Sequence, residues 1–183
     1  MADATTTEDT GPVKFMEHMT SLDYIVRISP TQSRFDQQMK SGHIVGHKCP
    51  SCGRVYVPPK GYCPLCTVIT TEKDEVEVKD TGVLTSFTVL TPIQYRGQKE
   101  REDYALASIL LDGADSTVGQ QRIAGCPLEE VRMGMRVKAE WRPEGEREGD
   151  AGGRGWGLGN AILHFVPTGE PDVDRDHYKE HVL

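Results

Sequence analysis

Short apolar runs with strand-like spacing fill the chain from about residue 75 onward. The clearest is RVKAEW (136–141), in which Val137, Ala139 and Trp141 alternate with charged residues, the period-two pattern of a half-buried strand. Other predicted strands share this short, apolar character: EVEV (75–78), GVLTSFTVL (82–90), YALASILLDG (104–113), QQRIAG (120–125) and GNAILHFVP (159–167). Because no helical pattern separates them, they predict a mainly β protein built on a small barrel or sandwich.

The first half of the chain predicts one short helix over about 31–40. Pro30 precedes it, Gly42 follows it, and Phe35 and Met39 share one face at i and i+4, a spacing that brings the two side chains together. Three further segments are predicted to lie outside the core: a disordered leader (1–12), a long mobile loop (143–157) and a surface tail (168–183).

The charge balance of the chain limits the classes of partner it is expected to bind. The 183 residues carry a formal net charge of −7, with a sequence pI of about 5.4. Nucleic-acid binders neutralise phosphates with clustered Lys and Arg, so this balance disfavours them. The N-terminus lacks the apolar core of a signal peptide, and no run approaches the roughly 20 apolar residues of a membrane span. These features predict a cytoplasmic protein without a membrane partner, in a compartment that keeps thiols reduced.

Four of the five cysteines form two C-x-x-C pairs. The motif C49-P-S-C52-G-R-V-Y-V-P-P-K-G-Y-C63-P-L-C66 places ten residues between the pairs, so that two knuckles can face each other. Cys49, Cys52, Cys63 and Cys66 supply the four tetrahedral ligands that zinc requires. Since four thiolates leave no position for a catalytic water, the predicted zinc is structural. Four unligated cysteines and a rubredoxin-type iron site are the alternatives.

For the other candidate groups, an ordinary structural role is favoured over a functional one. Cys126 is interpreted as a small buried hydrophobe rather than a nucleophile, because no activating base accompanies it. His177 and His181 are four residues apart in the acidic tail, where a solvated tail is favoured over a second metal site. His47 lies near the knuckles, is surplus to the four ligands and is a candidate to hydrogen-bond a thiolate.

A local positive stretch surrounds the cysteines. No acidic residue occurs between Asp36 and Glu72, where the basic residues are Lys40, Lys48, Arg54 and Lys60. Two interpretations stay open. The cations offset the charge of −2 on a zinc tetrathiolate, or Lys48, Arg54 and Lys60 bind the phosphates of a nucleotide or coenzyme A.

These features, in this order, resemble the DUF35 family. The resemblance covers roughly residues 31–166 and rests on SGHIVGHKC, the cysteine motif with its PPK, DTGVLTSFTVL, ALASILLDG and PLEEVRMGMRVKAEW. It implies a leader and N-terminal extension (1–30), a helix and rubredoxin-like zinc ribbon (31–70), a five-stranded OB-fold barrel (71–167) and a tail (168–183). Thr67 departs from the family pattern, in which a glycine usually follows the last cysteine.

The resemblance also implies a function. DUF35 proteins typically accompany thiolase-superfamily enzymes that make or cleave carbon–carbon bonds in acyl-CoA substrates, including steroid side-chain, aromatic and acetoacetyl types. In such complexes the thiolase-like chain carries the catalytic residues, and the DUF35 chain helps to bind and channel the acyl-CoA. The expected assembly is a heterotetramer of two plus two chains, with the loop 91–103 lining the acyl end.

Two other functions compete with this one. A nucleic-acid-binding zinc-ribbon/OB-fold protein would need basic character and stacking aromatics, whereas this chain is acidic. A stand-alone acyl-CoA hydrolase or transferase would need a nucleophile, for which Cys126 is the unsupported candidate.

Overall fold

One α-helix, a small sheet and a barrel make up the regular structure, in a computed structural model that describes residues 20, 22, 27–92, 102–147, 158 and 161–182. Helix α1 spans Pro30–Lys40, which confirms the predicted helix. Ser29 caps it, because the Ser29 hydroxyl accepts a hydrogen bond of 3.1 Å from the backbone N–H of Gln32, and this satisfies one free donor of the first turn. The helix buries Phe35 and Met39.

A three-stranded antiparallel sheet follows the helix. Its strands are β1 (Ile44–Lys48), β2 (Val55–Tyr56) and β3 (Glu75–Val78), in the order β2-β1-β3. The EVEV segment that forms β3 was predicted alongside the barrel strands, but it pairs with β1 in register Ile44↔Val78. Alternating residues predict that a segment is extended, whereas they do not specify the strand with which it pairs.

The other five strands close into a barrel, which confirms the architecture implied by the resemblance. They are β4 (Thr81–Leu90), β5 (Tyr104–Leu111), β6 (Thr117–Ile123), β7 (Arg136–Trp141) and β8 (Ile162–Pro167), in the closed order β4-β5-β6-β8-β7. The pairs are antiparallel except β6 with β8. Strand β6 begins three residues earlier than predicted. A register shift between Ala107 and Ile109 and a positive φ of 58° at Gln120 interrupt the alternation by which it would be recognised.

One continuous core joins the helix, the small sheet and the barrel. Phe35 and Ile44 belong to the same buried cluster as Leu84, Val137 and Phe165. The close approach of β4 to β5 depends on Gly82. A Cβ at this position would stand 2.5 Å from the backbone oxygen of Leu110, which is too close for any larger residue.

The turn between β5 and β6 fastens the barrel to the edge strand β2. The Asp115 carboxylate accepts a hydrogen bond of 2.8 Å from the N–H of Val55, and the N–H of Asp115 donates one of 2.8 Å to the Val55 carbonyl. Beside them the Ser116 hydroxyl accepts from the N–H of Val57 at 2.9 Å and donates to its carbonyl at 3.2 Å. We call these four bonds the edge clamp; they satisfy backbone groups that an edge strand otherwise leaves open.

The tail lies on the outside of the barrel, as predicted, but it is fastened there. Arg132 donates two hydrogen bonds, of 2.6 and 2.8 Å, to Asp172. The N–H of Val173 donates to the Gly134 carbonyl at 2.8 Å, and Tyr178 is buried. Sequence patterning missed this docking, because a single buried aromatic in an acidic segment gives no periodic signal.

Several predicted segments fall wholly or partly outside the described residues. They are the leader (1–12), residues 93–101 of the loop 91–103, and residues 148–157 of the loop 143–157. Within the part of the chain that the structure describes, no helix has the length and apolar character needed to cross a membrane.

Candidate metal centre

The first knuckle runs from Cys49 to Arg54, between β1 and β2. The N–H of Cys49 donates to the Arg54 carbonyl at 2.8 Å, and the N–H of Gly53 donates to the Cys49 carbonyl at 2.9 Å. Inside this turn the N–H groups of Ser51 and Cys52 point at the Cys49 sulfur, at 3.4 and 3.5 Å. These weak bonds stabilise negative charge on the sulfur, and a metal-binding thiolate needs such stabilisation.

The second knuckle repeats the same bonds after Gly61. The N–H of Cys63 donates to the Val68 carbonyl at 2.8 Å, and the N–H of Thr67 donates to the Cys63 carbonyl at 2.9 Å. The N–H of Cys66 points at the Cys63 sulfur at 3.4 Å. The two C-x-x-C pairs therefore fold into matching turns, as the sequence predicted.

The four cysteine sulfurs converge on one point. They all lie within 4.8 Å of one another, and the sulfurs of Cys52 and Cys63 are 3.8 Å apart. A tetrahedron with zinc–sulfur bonds of about 2.3 Å has edges of about 3.8 Å, so the donor set fits this ion. Cys49, Cys52, Cys63 and Cys66 are positioned to hold a structural zinc. When bound, the zinc would cross-link the two knuckles.

The pKa of Cys63 shows how the knuckle prepares a thiolate. Burial alone would raise this pKa, but the backbone N–H groups of Cys66 and Leu65 and the neighbouring thiols lower it to about 6. The hydrogen bond with the Cys52 thiol and, to a lesser extent, burial raise the pKa of Cys66 to about 12. Of these two thiols, Cys63 therefore loses its proton more readily than Cys66.

His47 supports the ribbon from behind, and the predicted bond to a thiolate is not among its contacts. Its Nδ1 forms a hydrogen bond of 2.8 Å with the Thr70 hydroxyl, and its Nε2 stands 3.6 Å from a Glu75 oxygen. Glu75 in turn accepts a bond of 2.9 Å from Arg34 of α1. Burial lowers the pKa of His47 despite the adjacent Glu75. The imidazole thus lies between Thr70, which follows the second knuckle, and Glu75, which binds Arg34 of the helix.

The three cations predicted to bind phosphates are all exposed around the knuckles. Lys48 ends β1, Arg54 closes the first knuckle, and Lys60 precedes the second. Two clefts lie elsewhere. One of about 400 Å³ lies between β3 and the barrel beside Trp141; the other, of about 270 Å³, lies between the barrel and the tail beside Tyr178. Neither of these clefts is lined by the three cations.

The remaining candidates, Cys126, His177 and His181, fit the ordinary structural roles predicted for them. Cys126 packs, partly buried, against the core, and burial followed by the charge of Glu130 raises its pKa, which disfavours a nucleophilic thiolate. His177 lines the cleft beside the tail. Over the described ranges, the groups of potential ligands that could hold a metal comprise the four cysteines alone, so His177 and His181 do not enter one.

The two knuckles differ at the residue after the second cysteine, which is glycine in one and threonine in the other. This difference allows a test of how much the positive φ at that position costs. Gly53 has φ +75° and Thr67 has φ +55°, a region that costs a non-glycine residue about 1–2 kcal/mol. A Cβ at Gly53 would meet no atom within 4 Å, so the effect there is conformational. We expect Gly53→Thr to destabilise the zinc-loaded protein by about 1–2 kcal/mol, and Thr67→Gly to stabilise it by about 0.5 kcal/mol.

Thermal unfolding of the two variants with zinc bound would check these values. Thr67→Ala, which keeps a Cβ but loses the bond of 2.7 Å from the Thr67 hydroxyl to the Cys66 carbonyl, is the matched control. Equal shifts of the same sign for both glycine exchanges would contradict the explanation.

A cysteine knuckle pair fused to a closed five-strand barrel defines the class of zinc-ribbon/OB-fold proteins. Two family models match in the same order: the ChsH2 rubredoxin-like zinc ribbon domain at residues 37–68 and the ChsH2 C-terminal OB-fold domain at residues 75–142. A DUF35 domain-containing scaffold protein of Methanocaldococcus jannaschii is 31% identical over 109 residues, which cover 60% of this chain and 74% of the relative. The chain belongs to the DUF35 family.

Two solved structures of DUF35 proteins are similar to this chain. The structure of the Ltp2-ChsH2(DUF35) aldolase superposes with a TM-score of 0.54 at 21% identity, covering 78% of this chain and 98% of that chain. A DUF35 protein of unknown function from Sulfolobus solfataricus matches with a TM-score of 0.47 at 27% identity, covering 60% of this chain and 77% of that chain.

Proposed function

We propose that this protein is a zinc-containing scaffold subunit of a thiolase-type complex that makes or cleaves carbon–carbon bonds in acyl-CoA substrates. The thiolase-superfamily partner carries the catalytic residues, and this chain helps to bind and channel the acyl-CoA. The observation that carries the proposal is the agreement of both modules, ribbon and barrel, with the two ChsH2 models.

The names of the related proteins favour the role of a scaffold subunit over that of an independent enzyme. The relative from Methanocaldococcus jannaschii is described as a scaffold protein. The fold neighbour pairs a DUF35 chain with a second protein, Ltp2, in an aldolase. The raised pKa of Cys126 weighs against a stand-alone hydrolase, which would need a reactive thiolate.

The fixed relation of ribbon and barrel suits a scaffold. The edge clamp joins Val55 and Val57 to Asp115 and Ser116, and the core is continuous between the two modules. A partner that contacts both modules would therefore meet one preformed surface, and binding a preformed surface avoids the entropy cost of ordering it.

We assign the phosphates of coenzyme A to Lys48, Arg54 and Lys60, which stand exposed around the metal centre. Reversing two of these charges, in Arg54→Glu/Lys60→Glu, is expected to weaken CoA binding by the assembled complex about tenfold or more, since charge-assisted bonds to phosphate contribute about 1.5–3 kcal/mol. Calorimetric titration with CoA measures the effect, and zinc content should stay at one ion per chain. Lys138→Glu, an exposed charge reversal on β7, is the control. Unchanged affinity in the double variant would refute this assignment.

The finer features of the proposal concern the assembly. The acyl chain is of the steroid side-chain, aromatic or acetoacetyl type. The complex contains two copies of each chain and works in the cytoplasm.

Purification of the tagged full-length chain from its native host tests the proposal. We expect a thiolase-like chain to co-purify in near-stoichiometric amount, identified by mass spectrometry, and mass photometry of the complex to give the two-plus-two composition. RNA or DNA in place of a thiolase-like chain would overturn the proposal in favour of a nucleic-acid-binding zinc-ribbon/OB-fold protein.

A further inference from the structure

A patch of exposed apolar side chains covers the second knuckle. Its members are large and open to solvent within eight consecutive residues: Tyr62 51%, Leu65 64%, Val68 36% and Ile69 75% exposed. We call these four residues the knuckle patch. The metal ligands need none of them, because the knuckle is held by backbone bonds and by the buried Cys63. Apolar side chains exposed together in this way mark an interaction surface more often than a single exposed one does.

Backbone hydrogen bonds fix the knuckle patch, and two of its side chains share one face. Tyr62 and Ile69 are directly opposed in an antiparallel bridge, so their side chains stand on the same face of the turn. Leu65 lies between the ligands Cys63 and Cys66, where the knuckle bonds fix the backbone. Binding on this surface would therefore cost little ordering of the backbone.

Charge distinguishes between the possible occupants. The knuckle patch belongs to the stretch 37–71, which has basic residues and no acidic one in a chain of net charge −7. A symmetric pair of copies would bring the same surface of each together, and so would oppose Lys60 and Arg54 of one copy to those of the other. Like charges facing each other across an interface disfavour the pairing. The occupant is therefore a different chain, one that offers an apolar centre and negative charge at the rim.

We propose that the knuckle patch is the surface on which the thiolase-type partner docks, with the entrance of the partner's acyl-CoA site beside Lys48, Arg54 and Lys60. This inference rests on the proposed function and adds the location of the interface. Leu65 and Ile69 are the apolar anchors at its centre. The phosphates of a CoA bound at the edge supply the negative charge that the basic rim attracts.

The test uses the full-length chain, co-expressed with the thiolase-like chain that the native purification identifies. Leu65→Ser/Ile69→Ser is expected to weaken the complex at least about thirtyfold, because truncated central anchors dominate interface energies. The control Met133→Ser/Leu163→Ser changes two other exposed apolar residues, which are 41% and 43% exposed in the turn before β7 and on β8, and should bind like the wild type. Biolayer interferometry with the purified partner gives the dissociation constants, and metal analysis gives the zinc content.

Each outcome decides one question. If the wild type binds the partner and the zinc-loaded patch variant binds equally well, the docking surface is wrong while the proposed function stands. If no thiolase-like chain binds the wild type, the proposed function fails and the inference fails with it. Sedimentation velocity of the isolated chain should show a monomer, and a dimer abolished by Ile69→Lys would replace the partner with a second copy. Should the double variant lose zinc, Ile69→Lys alone, at the most exposed member, takes its place in the binding assay.

Discussion

Replacing Cys63 with serine is expected to weaken zinc binding by about 100- to 1,000-fold and to unfold the ribbon at ordinary zinc concentrations. Structural zinc contributes roughly 10–16 kcal/mol in small zinc modules, so one of four thiolates accounts for about 3–4 kcal/mol. Cys63 is a sensitive position, because it is fully buried and its sulfur receives the N–H of Cys66. Competition with a coloured chelator measures the affinity, and near-ultraviolet circular dichroism follows Tyr56 and Tyr62 on the ribbon.

The control for this experiment is Cys126→Ser. Cys126 packs against the core away from the four ligands, so its loss should leave zinc affinity unchanged and lower stability only slightly. Retention of wild-type zinc affinity by Cys63→Ser would show that the ion, if bound, is held by another donor set.

The second large effect is expected at Asp112, which joins strands of the barrel to the tail. Its carboxylate accepts two hydrogen bonds of 2.7 Å from Arg136 and one of 2.5 Å from the Thr81 hydroxyl, and Arg136 also donates to Glu170 at 3.1 Å. Asp112→Ala would leave the largely buried guanidinium of Arg136 without its main partner. We expect a loss of about 2–4 kcal/mol in the free energy of unfolding at pH 7, measured by urea denaturation of the zinc-loaded protein.

The effect of Asp112→Ala should depend on pH in a defined direction. Hydrogen bonding by Arg136 outweighs burial and lowers the pKa of Asp112, so the folded state favours its ionised form. The resulting stability is present above the unfolded pKa, near about 4, and is lost as the pH falls through the lower folded pKa. The difference between wild type and variant should therefore shrink under acid conditions.

Arg132→Ala provides the matched control for the Asp112 experiment. Arg132 also forms a two-bond ion pair, with Asp172, but the pair is exposed, and exposed pairs contribute about 0–1 kcal/mol. A loss at Arg132 equal to that at Asp112 would mean that fastening of the tail, rather than burial of the ion pair, sets the energy.

The features predictable from the sequence were those encoded over a short span. The helix was marked by Pro30, Gly42 and the pair Phe35 and Met39, all within thirteen residues. The metal ligands were marked by the spacing of two C-x-x-C pairs ten residues apart, because zinc requires four ligands and each pair supplies two. Strand β7 was marked by strict alternation and was found at the predicted residues.

The features that the sequence did not reveal depend on contacts between distant residues. Asp115 and Ser116 read as ordinary turn residues, and nothing local indicates that they bond to Val55 and Val57 some sixty positions away. Equally, the knuckle patch consists of residues whose exposure depends on how the turn folds, because Ile69 in isolation would be assigned to a core.

The edge clamp has a consequence for how metal and barrel influence each other. Asp115 and Ser116 bond directly to the strand that leaves the first knuckle. Zinc binding that stabilises the ribbon should therefore also stabilise the barrel. Linkage is reciprocal: saturating zinc should raise the melting temperature of the barrel, and a substitution that loosens the barrel should make the chain release its ion more readily. The hairpin turn that carries Asp115 and Ser116 is therefore a poor place to insert a tag, although it lies at the surface.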